Sequence, residues 1–530
     1  MNARLVSLFS ILALLLWCGP LAHIALAQTS SGVISGRIVD SQGSSVPDAP
    51  VVLTQDLTGV KLTSKTDASG DFVFPSVLPG RYSVGIQVAG FKRLEKQDLV
   101  LAASERLSAG TIALEVGGVS ESVTVTSEAT PIQTSSLERS AVLNDKQMGL
   151  LSTPGRDYMN MLKVLPGVAY QDGNGSSTLG AVGVPIINGG RNDYTSVNVD
   201  GVVGNSRGLG TTENEMNLDA VAEVKVLMGN YQAEYGKNSG AVVNVVTKGG
   251  TRQFHGGAYW YKRHEMFNAN SYFNNKQSVA KSRYRYNTVG YNLGGPVFIP
   301  GKLNRNKDKL FFFFSQEWQP NTRSGGTRTW TMPSDLERKG DFSQSLQSNG
   351  SLIVIKDPTN ATAFPGNAIP ANRINADMQK LLGVFPLPNF TNRAVSKGNY
   401  NYILSDTIDN PIRQEILRID YSPTEKWRTY FRGMNMYVNN NGTASTANTN
   451  SWGIVQAYNT TNPNIAGNVT YMASPTLVNE FSVGLARWTE DQLIAGSELA
   501  KLQRDKLGIK LGQLYPANNP LNVIPGASFG

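Results

Sequence analysis

Hydrophobic and polar positions alternate with a period of two through most of this chain, the signature of strands that bury one face. Val33 to Val39, Val51-Val52-Leu53, Asp71-Phe72-Val73-Phe74 and Arg81 to Val88 are short runs of this kind. Between them lie the turn formers Ser41 to Ser45, Thr66-Asp67-Ala68-Ser69-Gly70 and Leu78-Pro79-Gly80, and Gly90-Phe91 closes the series. Such strands at such spacing predict a small β-sandwich. In the middle of the chain the pattern is mixed. Asp145 to Leu151, capped by Asn144 or Asp145, and Tyr158 to Leu165, stopped by Pro166-Gly167, predict short helices. They are followed by strands at Ser196 to Val199, with Asp200-Gly201 as the turn, and by two alternating strands within 221–250 around a glycine-punctuated turn region.

After Arg252 the strands lengthen. Val289, Tyr291, Leu293, Val297 and Ile299 fall on one face, and Thr288, Gly290, Asn292 and Gly294 on the other. Ile465 to Tyr471 and Leu477 to Leu485 repeat the alternation. Ser422-Pro423-Thr424 and Ser474-Pro475-Thr476 are tight turns, whereas 330–410 and 439–462 are long, polar connections. Short turns at one end and long loops at the other, on strands of about ten residues, predict an antiparallel transmembrane barrel. The expected fold class is therefore mainly β: an N-terminal sandwich, a small α/β domain and the first part of a barrel.

Composition narrows the setting. Residues 1–27 carry Arg4 as their lone charge, an apolar run from Leu8 to Trp17 and the small-x-small site Ala25-Leu26-Ala27, which together predict a secretory signal peptide. Cys18 is the one cysteine of the chain and leaves with that segment, so the mature protein has no disulfide, no thiolate metal site and no thiol nucleophile. The 53 glycines and 25 prolines among 530 residues suit an exported all-β protein. No apolar run of about 18 residues follows the signal, so any spanning of a membrane falls to strands.

The formal charge of +8 is concentrated locally. Between Arg252 and Lys309 eleven Lys or Arg face two acids, Glu265 and Asp308, with Tyr259, Trp260, Tyr261, Tyr284 and Tyr286 interleaved. Basic and aromatic residues mixed in this way can grip single-stranded nucleic acid. Export argues against that partner, and solvated hairpin ends with an aromatic girdle account for the same residues.

Candidate chemistry is sparse. His255 and His264 share a strand without H-E-x-x-H spacing, so neither a zinc peptidase nor any other catalytic or metal centre is expected, and no cofactor. Asp172, Asn174 and Ser176 alternate like a calcium loop but lack its distal glutamate. Gly204, Gly208 and Gly210 lack the strand-loop-helix context of a phosphate loop.

Three resemblances organise these observations. Ile38 and Val39 before Asp40, Val46-Pro47-Asp48, Val51-Val52-Leu53, Thr66 to Phe74, Leu78-Pro79-Gly80 and Gly90-Phe91 resemble the carboxypeptidase regulatory-like domain, expected over 28–115. Members of that fold resemble carbohydrate-binding modules, which makes sugar binding an option tied here to no particular residue.

Ile187-Asn188-Gly189 with Arg191, Val197 to Gly201, Val221 to Val226, Glu234-Tyr235-Gly236 and Gly240 to Lys248 resemble the plug of TonB-dependent receptors, expected over 131–250. Two positions depart from that pattern: Asn188 where arginine is usual, and Lys225 with Met228-Gly229-Asn230 in place of the usual acidic and R-G-P residues. In the linker 116–130, the isolated strand Glu121, Ser122, Val123, Thr124, Val125, Thr126 resembles the box that recruits TonB. Pairing of this strand within the first or second domain is the alternative.

Gly294-Gly295-Pro296, Asp308 to Phe313 with Glu317, Glu337-Arg338 with Gly340 to Ser343, Phe364 to Pro370 and Phe385 to Asn389 resemble the Oar-type branch of the same receptors, with the barrel expected over 251–530. About eight credible barrel strands follow Arg252, against about 22 in plugged transporters. The expectation is an N-terminal part of a longer protein.

The resemblance implies a receptor in the bacterial outer membrane, with sandwich and plug on the periplasmic side. Such a receptor takes up a scarce siderophore, glycan or peptide, with TonB and its inner-membrane complex as energising partner and outer-membrane lipid around the barrel. Arg191, Asp193 and Tyr194 are the ligand-facing candidates at the plug apex. The rival expectation is a surface adhesion or structural protein whose sandwich binds glycan or protein.

Overall fold

The computed structural model describes residues 30–118, 122–126, 136–151, 153–169, 182–191, 194–205, 211–212, 215–235, 239–440, 456–494 and 496–525. The signal-peptide expectation, residues 172–176, Glu121 and Asp193 lie outside them. So do Gly208 and Gly210.

Strands β1 (Gly32–Val39), β2 (Pro50–Gln55), β3 (Lys61–Lys65), β4 (Asp71–Val77), β5 (Gly80–Ile86), β6 (Arg93–Leu101), β7 (Arg106–Ala113) and β8 (Ser122–Thr126) form two facing sheets, ordered β4-β1-β7 and β3-β2-β5-β6-β8. Alternate residues of the two sheets meet in a core that includes Ile34, Ile38, Leu53, Phe72, Phe74, Val84 and Leu101. Gly36 is required where it stands, because a Cβ there would come within 2.7 Å of the Phe72 ring. The 66–70 turn is pinned by Asp67, whose carboxylate accepts from the amides of Ser69 and Asp71. Beyond Gly90-Phe91, where the sequence pattern ends, the chain adds β6 and β7.

The middle domain holds β9 (Arg139–Asn144), β10 (Val168–Ala169), β11 (Val182–Gly183), β12 (Ile186–Ile187), β13 (Ser196–Val199), β14 (Val202–Val203), β15 (Thr211–Thr212), β16 (Val221–Gly229) and β17 (Val242–Thr247). Its main sheet runs β14-β13-β17-β16-β9, with β13 parallel to β17. A helix over Asp145–Leu150 starts at Asn144 with a complete capping box. The second expected helix is a short α segment, Tyr158–Met161, capped by Asp157 and tightened to a 3-10 turn over Leu162–Val164. Every residue of β13 and β17 is buried. One apolar cluster joins Tyr158, Met161 and Leu162 to these strands and to Phe313, Ile416 and Met434 of the barrel wall.

The wall is one eleven-stranded sheet: β18 (His255–His264), β19 (Arg285–Pro296), β20 (Leu310–Gln319), β21 (Asn321–Trp330), β22 (Tyr402–Asp409), β23 (Ile412–Thr424), β24 (Trp427–Asn440), β25 (Gln456–Thr461), β26 (Asn464–Ser474), β27 (Leu477–Ala486) and β28 (Thr489–Ile494). Among the described residues the eleven strands trace seven crossings against the expected eight, because β20–β21, β22–β23 and β25–β26 are each one line interrupted at Pro320, Pro411 or Pro463, which lack an amide hydrogen, and β27–β28 is one line interrupted at Arg487-Trp488. β19 ends at Pro296, so Val297 and Ile299 fall outside it.

The alternation is physical. Phe431, Val469, Val483 and Leu485 are exposed on the outer face, whereas Arg418, Tyr430, Arg432 and Asn468 are buried on the inner one. Outer-face aromatics bracket that apolar band, Trp427 stacked on Tyr471 near the short turns and Tyr291 beside Trp318 toward the long loops. No helix among the described residues is long and apolar enough to cross a membrane. At the long-loop end, segments 331–401 and 496–525 pack together around Met332, Leu381, Phe385, Ile509 and Ile524.

Candidate functional site: the seam between plug and wall

Asp200 and Gly201 form the two-residue loop of the β13–β14 hairpin, with φ of 47° and 81°. That pair of left-handed conformations matches a type I′ turn, which favours Asp-Gly. The turn projects the Asp200 carboxylate from the sheet into the wall. There it accepts from the Thr247 amide at 3.0 Å and the Thr247 hydroxyl at 2.7 Å. Arg418 Nη1 reaches it at 3.4 Å from β23, and Arg432 Nε at 3.2 Å from β24. Tyr430 donates its hydroxyl to the Asp200 carbonyl, and Arg432 Nη2 donates to that of Val199.

Arg418 is also held by Asp420, so two guanidinium groups meet two carboxylates. Arg432 is fully buried and Asp200 nearly so. The cluster is thus a charge-balanced bond between one domain and another, made where water does not screen it.

A second polar seam lies on the β18–β20 side. Arg156 of the plug pairs with Asp219 at 2.8 Å and stands 3.7 Å from Glu317 of β20. Its guanidinium stacks over Tyr259 and Tyr261. Tyr259 donates to Glu317 at 2.7 Å, and Ser315 donates to Asn217. Nearby Glu215 is pushed up to about 8 by burial, with Asp157 and Glu317 adding repulsion. Among the described residues no three His, Cys, Asp or Glu side chains are grouped to hold a metal ion.

The two departures from the plug pattern have local reasons. Asn188 adopts φ 53°, a conformation asparagine tolerates better than arginine, and its amide donates to the Met228 carbonyl. Lys225 is buried in the sheet and paired with Glu138 at 2.6 Å. The basic residue therefore has its own buried acid.

Of the ligand-facing candidates, Arg191 and Tyr194 are exposed at the opposite end of β13 from Asp200, with the guanidinium 5.2 Å from the ring centroid. The candidate box residues Ser122 to Thr126 form β8, paired in parallel with Arg93 to Gln97 of β6. Of the alternatives for this strand, the structure shows pairing within the first domain. Sequence reasoning missed Arg418, Arg432, Glu317 and Arg156. The available signal was a charged residue on the inner face of an alternating strand, as at Arg418 and Arg432. A cavity of about 550 Å³ opens at the proline joints of the wall, lined by Trp318, Pro320, Pro411, Arg413 and Tyr437 among others, and involves no plug residue.

Comparisons with known proteins agree with this layout. The carboxypeptidase regulatory-like domain profile matches residues 33–115, the TonB-dependent receptor plug domain 133–243 and the outer membrane beta barrel domain 246–530. The TonB-dependent transporter Oar of Myxococcus xanthus is 26% identical over 366 residues, which cover 65% of this chain and 31% of the relative. This chain therefore spans about a third of that curated relative's length. Among solved structures, the siderophore receptor PirA of Pseudomonas aeruginosa aligns with a TM-score of 0.37 at 13% identity, covering 67% of this chain and 41% of that one. The outer membrane transporter YddB of Escherichia coli aligns at 0.40 and 10%, covering 67% and 39%.

Proposed function

The chain belongs to the outer membrane β-barrel family, as a TonB-dependent receptor of the Oar-like type in the outer membrane, and from that premise we propose that the intact protein imports a scarce ligand by energised movement of its plug. The observation that carries this reading is the Asp200 cluster. A domain bonded to the inner wall by two buried arginines blocks passive flow and needs work to displace it. The work arrives from TonB, which pairs with the strand 121–126 ahead of the plug and pulls.

The ligand is a siderophore, glycan or peptide, met by Arg191 and Tyr194 at the outer end of the plug and by Asp193 between them in sequence. An exposed cation over a tyrosine ring suits an anionic or hydroxyl-rich ligand.

Deleting residues 121–126 from the full-length protein tests the reading. The expected result is normal insertion into the outer membrane, loss of capture by the periplasmic domain of TonB and loss of ligand-dependent growth under iron or glycan limitation. Capture and growth that both persist overturn energised import and leave surface adhesion as the explanation.

A further inference from the structure

The sandwich does not hang free below the barrel. It sits at the short-turn end of the wall, where one polar contact, Thr63 to Glu425, is exposed and those of Ser31 and Ser76 are buried or half-buried. Arg428, the second residue of β24 and only 8% exposed, donates to the Ser76 carbonyl near the end of β4. Glu480 of β27 accepts from the hydroxyls of Ser31 and Ser76, at 3.4 and 3.2 Å, while Asn468 holds the same carboxylate at 2.7 Å. Two residues on from Ser76, Leu78 packs on a small apolar cluster of Val202 from the plug with Tyr430 and Ala466 from the wall. Three bodies therefore meet at one point.

The same end of the sandwich also grips the plug, through the loop that adjoins Ser31. The Ala103 amide donates to the carboxylate of Glu223 on β16 at 2.6 Å, and Arg106 donates to Gln232. The main chain also joins in, with the Arg252 amide bonded to the Leu57 carbonyl where the plug passes into the wall.

These contacts form a circuit. Tyr430, a member of the cluster against which Leu78 packs, is the residue that bonds the Asp200 carbonyl. Val202, in the same cluster, follows Asp200 by two positions and lies against β27, where a Cβ on Gly484 would stand 2.4 Å from it. A shift of the sandwich thus uncovers the turn that carries the plug's buried carboxylate.

We propose that the N-terminal sandwich is a latch, clamped to the wall through Arg428 and Glu480 and to the plug through Glu223, so that the plug moves only after the sandwich has undocked. This goes beyond the import reading, since it concerns the resting molecule and needs neither ligand nor energising partner. It also gives β8 a place in the device. A pull on β8 is passed through its ladder with β6 to the sandwich as well as along the chain to β9.

The test is amide hydrogen exchange on the full-length protein in detergent, comparing wild type with Arg428→Ala and Glu480→Ala. Neither substituted residue touches β9 or β16 in the hydrogen-bond and ion-pair network described above. A latch predicts at least tenfold faster exchange at Val73–Val77 of the sandwich and, together with it, at β9 and Glu223–Leu227 of the plug, with β17 still protected as the control for folding. The milder pair Ser31→Ala with Ser76→Ala, which removes only the hydroxyls bonded to Glu480, is expected to shift the same peptides in the same direction. Faster exchange confined to the sandwich overturns the latch, making the domain a tethered passenger. Unchanged exchange throughout overturns it as well, since the clamp then holds nothing.

Discussion

The Nε of Arg432, on the inner face of a barrel strand, lies 3.2 Å from the carboxylate of Asp200, at the tip of a plug hairpin. Neither side chain has water to fall back on, for both are essentially without exposed surface. Breaking a buried pair by removing one partner typically costs about 3–5 kcal/mol, because the other charge is left uncompensated. Asp200→Asn keeps the turn conformation and an acceptor for the Thr247 amide, but it sets a donor NH2 where the Thr247 hydroxyl and Arg432 Nε both donate and leaves the two arginines facing a neutral amide. The plug of this variant is expected to come loose at lower denaturant concentration, by an amount in that range, while the barrel retains its resistance to heat and detergent. Limited proteolysis across a urea series reads the two transitions separately.

Glu223 predicts a pH dependence at the sandwich–plug junction. Burial pushes its carboxyl up to about 7, opposed by the Ala103 amide and by Lys225 and reinforced by Glu105. A raised carboxyl holds its proton longer in the docked state than when solvated. The junction is therefore most stable below pH about 4.5, and that contribution is lost as pH rises through about 7. The full effect is on the order of 3 kcal/mol. Exchange of the Ala103 amide is expected to speed up between pH 5 and pH 8 beyond its intrinsic rate, and Glu223→Gln, which still accepts from that amide, is expected to flatten the dependence.

The Lys225–Glu138 pair tests whether a buried ion pair inside the plug stabilises it or only restricts what is tolerated there. Either single change, Lys225→Met or Glu138→Leu, strands a charge and is expected to lower stability by about 3–5 kcal/mol. The double variant is expected to recover most of that loss. A thermal double-mutant cycle measures the coupling, and additive losses would contradict it.

Gly484 lies so close to Val202 that any side chain must displace it. Gly484→Leu is expected to cost about 1–3 kcal/mol at the seam through overpacking. The same substitution at Gly433, whose nearest added-Cβ neighbour is 3.7 Å away, is the control that separates seam packing from strand propensity.

The sequence made the architecture readable because its signals are local. Alternation on β19, β26 and β27, the Asp200-Gly201 turn and the Asn144 cap each act over a few residues, and each took the expected form except that β19 stops at Pro296, short of Val297 and Ile299. The functional seam was less readable because it is non-local. Asp200 meets Arg418 and Arg432 across more than two hundred positions, and only the docking of the plug on the wall brings them together. β8 illustrates the same limit: its strand character was evident in Ser122 to Thr126, but the choice of β6 as neighbour depends on where the rest of the sandwich places an open edge. β6 and β7 themselves were hidden by their charged positions, such as Arg93, Glu95, Lys96 and Arg106, which dilute the alternation.

The order of the plug sheet determines how a load would spread through it. Its buried carboxylate is carried on the β13–β14 side, while the chain arriving from the sandwich enters at the opposite margin, β9, through Arg139 beside Gly229. Tension on that entry falls on the terminal rung of the β9–β16 ladder before any other, so the rungs give way in succession like a zip rather than all at once. The parallel pair β13–β17 is two strands removed from the point of entry and keeps its bonds while the margin peels. The fold thus separates a margin strand held by one neighbour from a parallel pair held on both sides.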